Sequence, residues 1–366
     1  MELTDVTLRE GAQMPGRSYT IEQRIAAGRE LDRLGLAAVQ AGFPAVGDDH
    51  AAVTRRLAAD LDADVSGLAR AVPGDVDAVI DAEADVVNVF AAVSSAMLDR
   101  VFDTSREAVL DMLDDAVARA RNAGVPVRVG LMDGFRTEVE HVVTVSERFP
   151  DLPLGLADTV GGRTPAFVET FLEELAEAGV DLARLGVHFH DDLGVATANT
   201  LVAAGAGVGS ADVSVAALGE RAGNTPLEQL VVAGDRGSGD TFGIDTAALI
   251  PACRGVLDAL DEAVDPRRPV LGEEVVRHES GLHTTVMLET PWVFEPFDPA
   301  TFGGERELVF GRLTGRGAAR RLLARVGGEQ SERRVDALLD ALAKAGPVGL
   351  EGALSLARDV SADEGR

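Results

Sequence analysis

Short apolar runs rich in Val, Ala and Leu alternate with longer stretches whose apolar positions recur at helical spacing, from the start of the chain to about residue 237. That order predicts βαβ units and a parallel sheet. Strands are expected at 2–7, 37–42, 64–69, 85–91, 126–131, 152–159, 184–190 and 211–217, with helices between them such as 20–34 and 105–123. The second of these helices begins at a Ser or Thr N-cap and closes at Gly124. Eight strands at a spacing of roughly 30 residues predict an α/β fold, a closed (β/α)8 TIM barrel over residues 1–237. Beyond Gly237 the pattern changes: 234–240 reads as a boundary loop, 246–263 as a helix, 265–269 as a Pro-rich connection and 317–360 as two or three short helices. Residues 238–366 are therefore expected to form a C-terminal linker and a helical lid subdomain that extends over the barrel mouth.

Composition narrows the partners more than the fold. No run of 18 or more apolar residues offers a membrane span, and from the opening Met1-Glu2-Leu3-Thr4-Asp5, with no basic stretch before an apolar one, no secretory signal is expected. The lone Cys253 allows neither an internal disulfide nor a thiolate zinc site, so a cytoplasmic protein is expected. Against 61 acidic residues stand 34 basic ones, of which only Lys344 is a lysine. A net charge of −27 without a basic cluster argues against a nucleic-acid partner. The acidic excess, with arginine in place of lysine, resembles proteins of salt-loving archaea.

In a barrel of this kind functional groups sit at the C-terminal ends of strands. The first strand runs into Arg9-Glu10, able to orient an anion and to hold a cation. The seventh ends in His188-Phe189-His190-Asp191-Asp192; residues i and i+2 of a strand share a side, so both imidazoles can reach one metal, with Asp191 and Asp192 expected to orient them. The eighth leads into Gly219-Glu220-Arg221-Ala222-Gly223-Asn224, where the glycines permit a tight turn and Asn224 presents an amide oxygen. Glu10, His188, His190 and Asn224 make a mixed oxygen and nitrogen set suited to Mn, Mg, Zn or Co. Such a cation can bind a 2-oxo acid and polarise its carbonyl.

The segments TLREGAQ (7–13), AGFP (41–44), ADTVGG (157–162), HFHDDLGVATAN (188–199), GERAGN (219–224) and HESGLH (278–283) resemble the acyl-CoA-dependent Claisen synthases that include isopropylmalate, homocitrate and citramalate synthases. EPFDP (295–299) and GRLTGR (311–316) are similar to the short homocitrate synthases. The resemblance implies a metal-dependent acyltransferase that condenses acetyl-CoA, or a similar acyl-CoA, with a 2-oxo acid and then hydrolyses the thioester. It implies that Glu10, His188, His190 and Asn224 bind the divalent metal and that Arg9 stabilises the thioester enolate. By the same resemblance Gln13, Arg136 and Thr159 line or hold the 2-oxo acid, and His283 is an acid or base contributed across a homodimer interface.

The chain departs from that pattern where the resemblance implies acid–base groups: Gln40 stands before AGFP in place of a glutamate, Met132 replaces a carboxylate after the fifth strand, and Met97 replaces a histidine. Proton abstraction then falls to His283, a metal-bound hydroxide or Asp133. Two other activities suit the same residues, a carbon–carbon lyase similar to hydroxymethylglutaryl-CoA lyase and a non-catalytic metal-binding paralogue. HESGLH and EPFDP favour synthesis.

Overall fold

The computed structural model describes residues 1–362. Eight parallel strands close into a barrel in chain order: β1 (Glu2–Asp5), β2 (Ala38–Gly42), β3 (Asp64–Arg70), β4 (Val86–Ala92), β5 (Val127–Met132), β6 (Leu154–Asp158), β7 (Leu185–Phe189) and β8 (Ser210–Val213), with β8 pairing back onto β1. The expected (β/α)8 architecture is thus present, each strand within two residues of its expected start. The largest differences are at C-terminal ends. The first strand stops at Asp5 because Thr7–Gly11 turns into a short helix, and the eighth stops at Val213.

The strands read as almost continuous apolar runs because both faces are enclosed. Val87, Val89, Val129, Leu154, Leu156, Val187 and Phe189 are fully buried beneath the helices. Their neighbours in sequence point the other way, and Asn88, Arg128, Gly130, Gly155, His188 and Asp212 line a cavity at the C-terminal end of the barrel. The helices begin where the sequence supplies caps. Thr20 accepts from Gln23 N and closes a full capping box at Ile21–Asp32, and Ser105 caps Arg106–Asn122 through Ala108 N.

The chain divides into two compact units, residues 1–264 and 265–366, later than the expected boundary after 237. The helix Leu227–Ser238 runs through most of the stretch read as a loop and ends at Gly239, whose φ of 75° makes a left-handed cap. Gly234 fits inside that helix because Phe242 and the Asp240 carbonyl press against it, leaving no room for a Cβ. The helix Leu249–Leu260 then packs on Ile21–Asp32, which keeps it with the barrel.

The second unit has its own core, built from Met287, Phe310, Leu322, Leu323, Leu338 and Leu342 among others. The expected short helices are Arg316–Arg325, Glu332–Ala345 and Leu350–Ala362. A three-stranded sheet was not anticipated: β9 (Arg277–His278) pairs parallel with β10 (Glu307–Phe310), and β11 (Val348–Gly349) pairs antiparallel with it. No helix among the described residues is long and apolar enough to cross a membrane.

Candidate active site

The end of β1 fixes the first two groups. Asp5 accepts from Thr7 N at 2.8 Å and from Thr7 Oγ1 at 2.9 Å, and Thr7 Oγ1 in turn accepts from Val215 N at 2.9 Å. These bonds tie the short helix Thr7–Gly11 to the segment after β8 and set Arg9 and Glu10 at the barrel mouth. Arg9 is held on three sides: it pairs with Glu10, donates through Nε to Gln40 Oε1 at 2.6 Å and reaches Gln13 Oε1 at 3.1 Å. Gln40 therefore offers no charge, but it does position the guanidinium.

The two imidazoles of β7 turn to the same side, as their spacing requires. His188 Nε2 and His190 Nε2 stand 3.4 Å apart, and His188 Nε2 lies 3.4 Å from Glu10 Oε1. Glu10, His188 and His190 offer one ligand atom each within a single cluster. The Asn224 carboxamide meets the same point, its Nδ2 being 3.2 Å from His188 Nε2. Half a turn about the terminal bond would exchange that nitrogen for Oδ1. Gly219 makes this approach possible, because a Cβ there would stand 2.2 Å from Asn224 Oδ1.

The donors fit a cation on two grounds. Glu10 Oε2, His190 Nδ1 and Asn224 Oδ1 are buried without a hydrogen-bond partner, a costly state for polar atoms unless a ligand satisfies the cluster. Two nitrogens with two oxygens also suit a borderline or hard divalent ion. Charge is arranged accordingly. Burial alone would raise the Glu10 carboxyl, but the adjacent Arg9 guanidinium and His188 hold it well below the usual carboxylate range. Burial, with His188 beside it, pushes His190 down to about 4, so this ring is neutral and able to ligate.

A second line of groups lies deeper. Burial opposes charge on His188, yet Asp212 and Glu10 bring its pKa above the ordinary value; His188 Nδ1 is 3.1 Å from Asp212 Oδ2. Asp212 is itself held far below the carboxylate range against its burial by Arg128, which donates to Oδ1 at 2.8 Å. Arg128 starts on β5 and reaches β8 across the barrel. It crosses where β6 and β7 carry glycine, since a Cβ at Gly186 would lie 2.5 Å and one at Gly155 3.2 Å from its Nη2. The carboxylate that orients His188 is therefore Asp212, while Asp191 caps the helix Ala196–Gly205 through Ala196 N and Asp192 pairs with Arg221 at 3.0 Å.

Around these groups lies a cavity of about 230 Å³, whose wall includes Arg9, Glu10, Gln13, Thr159, His188 and His190. Asn224 sits behind them, fully buried. Arg136 does not line the cavity; it donates through Nε to Asp133 Oδ1 at 2.7 Å. Asp133 is fully buried and also accepts from Ser94 Oγ, so both its oxygens are engaged away from the cavity. Met132 lines the wall instead, and Met97 ends a helical turn capped by Ser94. His283 belongs to the second unit, stacked on Phe294 at 4.1 Å with its Nδ1 3.4 Å from His278 Nδ1. Arg128, Asp212 and Glu220 were not singled out from the sequence as site residues, and all three line the cavity.

Residues 1–256 match the HMGL-like family model. The chain belongs to the HMGL-like family. Within it, residues 270–348 match the homocitrate synthase post-HMGL domain-like model, which ties the second unit to the synthase branch. Homocitrate synthase AksA of Methanopyrus kandleri is 39% identical over 339 residues, covering 92% of this chain and 85% of that protein. A protein of Ignicoccus hospitalis described as "Probable 2-isopropylmalate synthase" is 32% identical over 354 residues, covering 96% and 88%. Among solved structures, the HMG-CoA lyase of Bacillus subtilis superposes with a TM-score of 0.63 at 23% identity, covering 73% of this HMGL-like chain and 95% of the lyase. That likeness is one of fold.

Proposed function

We propose that this protein is a metal-dependent acyltransferase that joins the methyl carbon of acetyl-CoA, or a similar acyl-CoA, to the keto carbon of a 2-oxo acid and then hydrolyses the thioester. The observation that carries the reading is the convergence of Glu10, His188, His190 and Asn224 beside Arg9, in a chain of the homocitrate synthase type. These four residues hold the divalent cation, with Mn, Mg, Zn and Co all compatible with the donors. Bound there, the ion supplies Lewis acidity that polarises the keto group of the 2-oxo acid. Arg9, steered by Gln40 and Gln13, faces the cavity and offsets charge on the enolate oxygen of the thioester. Thr159 and Gln13 supply polar contacts to the 2-oxo acid from the wall. Arg136 contributes through Asp133, whose backbone N–H donates to Thr159 Oγ1 at 2.9 Å, and so steadies that wall.

The active form is a homodimer in which the segment around His283 of one copy serves the barrel mouth of the other as a lid with an acid or base. Exposed Leu282, Trp292, Val293 and Leu313 near that segment support this, since apolar surface of this kind marks an interface. The protein works in the cytoplasm, and its acidic surface suits a salt-rich one: with a net charge of −27, self-repulsion weakens as salt rises and the thermal midpoint should climb with KCl.

The direct test is CoA-thiol release from acetyl-CoA in high KCl with Mn or Mg, against pyruvate, 2-oxoisovalerate, 2-oxoglutarate and oxaloacetate. Saturable release with one of them supports the reading. Cleavage of a 3-hydroxyacyl-CoA without condensation would contradict it.

A further inference from the structure

Condensation needs a base for the acyl methyl group; with His283 of a partner copy assigned to the later proton transfers, this chain's own cavity wall holds few candidates. Among its ionisable groups, Glu10, His188 and His190 are gathered as cation ligands, and Asp212 is taken up by Arg128 and His188. Gln40 and Met132 carry no basic group, and Asp133 is turned away and engaged twice. One carboxylate remains. Glu220 lines the cavity, half-buried, and among the described residues its side chain makes no hydrogen bond or ion pair.

The segment that carries Glu220 is fixed on both sides of it. Gly219 presses against Asn224 and Glu10, where its absent Cβ would lie 3.3 Å from Glu10 Cβ. Arg221, at a φ of 56°, makes its hydrogen bonds to Asp192 at 3.0 Å and to the Thr159 carbonyl at 2.9 Å, and Glu220 meets it only through space, as one charge near another. Gly223 N closes the turn on the Glu220 carbonyl at 2.9 Å. The Arg221 guanidinium thus spends its hydrogen bonds on other loops. Glu220 is left without a hydrogen-bond partner of its own, on the wall that also bears Arg9.

We propose that Glu220 is the base that takes the proton from the acyl-CoA methyl group. The assignment rests on the condensation reading above. Glu220 Oε accepts the proton, the C–H pair becomes the C=C bond of the enolate, and the thioester carbonyl pair moves onto oxygen beside Arg9. The enolate oxygen pair then re-forms the thioester carbonyl while the C=C pair bonds to the keto carbon, whose π pair moves onto its oxygen, and Glu220 returns the proton to that alkoxide. Water adds its hydroxyl to the thioester carbon, the C–S bond breaks, and the remaining water proton goes to sulfur, so CoA leaves as the thiol.

The experiment compares Glu220→Gln and Glu220→Asp with the wild type in CoA release, using acetyl-CoA and its trideuterated form, with Mn affinity by calorimetry and the thermal midpoint measured alongside. Glu220→Gln should lower kcat by roughly 10²–10⁴-fold, the usual contribution of a positioned base, while Mn affinity and the KM for the 2-oxo acid stay within about threefold. Glu220→Asp should recover part of kcat and show a larger deuterium effect than the wild type, because proton transfer has become slower. Glu220→Gln with kcat within about threefold of wild type overturns the assignment. So does a loss of Mn affinity or thermal midpoint that parallels the loss of kcat, which would make Glu220 part of the scaffold. A wild type that binds Mn but releases no CoA with any 2-oxo acid overturns the condensation reading itself, and this assignment with it; wild-type turnover with unaffected variants removes the assignment alone.

Discussion

The two sides of the barrel mouth are built on different principles. Residues on or just after β1, β7 and β8 supply Arg9, Glu10, His188, His190, Asp212 and Glu220, most of them locked into hydrogen bonds. The side formed by β3 to β6 offers Leu68, Phe90, Gly130, Leu131, Met132 and Ala157, with Asn88 and Thr159 as neutral polar groups. One arginine joins the halves: Arg128 leaves β5 and ends on Asp212 of β8. In the proposed reaction the charged half would fix where electrons and protons move, because its geometry is over-determined by mutual contacts. The apolar half sets shape through volume, which tolerates change. The proposed reaction therefore places chemistry and substrate choice on separable halves.

The comparison breaks most severely if a cation ligand can be removed without consequence. His190→Ala should abolish Mn binding and CoA release together, a loss beyond the roughly 10–100-fold that changes behind the ligands cause; calorimetry with Mn checks it. Asp212→Asn should come next, since it loosens His188 and strands Arg128. It should weaken Mn affinity by about 10–100-fold and cost about 3–5 kcal/mol of stability in denaturant titration, the usual penalty for leaving one buried partner unpaired. Crossing to the apolar half, Gly130→Ala places a Cβ 3.2 Å from Phe90 Cβ and narrows the cavity. Discrimination among 2-oxo acids of different length should shift by roughly tenfold, with Mn affinity unmoved.

The smallest effect concerns pH. Burial pushes the Asp5 carboxyl up to about 7 despite its bonds from Thr7, with Glu228 and Asp212 adding to the rise. The folded chain then holds this proton more tightly than the unfolded chain does, so its stabilising share is complete below about pH 4 and is lost as pH climbs through about 7. Between about pH 5 and pH 8 the thermal midpoint of Asp5→Asn should fall less than that of the wild type. An equal fall in both would show that Asp5 ionises as freely in the fold as outside it.

The barrel was legible because each strand is an apolar run bounded by helical period, and His188 and His190 were legible because strand parity is a strict rule. Arg128 and Asp212 left a fainter signal, a single charge in VRVGLM and another in SADV, opposite glycines in β6 and β7. Nothing local says that one arginine spans the barrel to the other residue; closure of the sheet brings them together. Asp191 and Asp192 misled for the same reason, being adjacent in sequence to the histidines yet turned to a helix cap and to Arg221. The small sheet of the second unit escaped notice because its strands are two and four residues long, too short to show a period. The boundary glycines were read as punctuation where one of them serves close packing instead.

The most direct test of the central claim is CoA release by chelator-stripped protein titrated with Mn in the presence of acetyl-CoA and a 2-oxo acid. The stripped protein should release no thiol above background, and activity should rise to saturation at one equivalent of Mn per chain, in wild type but not in His190→Ala. Undiminished thiol release from the stripped protein, or equal reactivation of His190→Ala, would contradict the account.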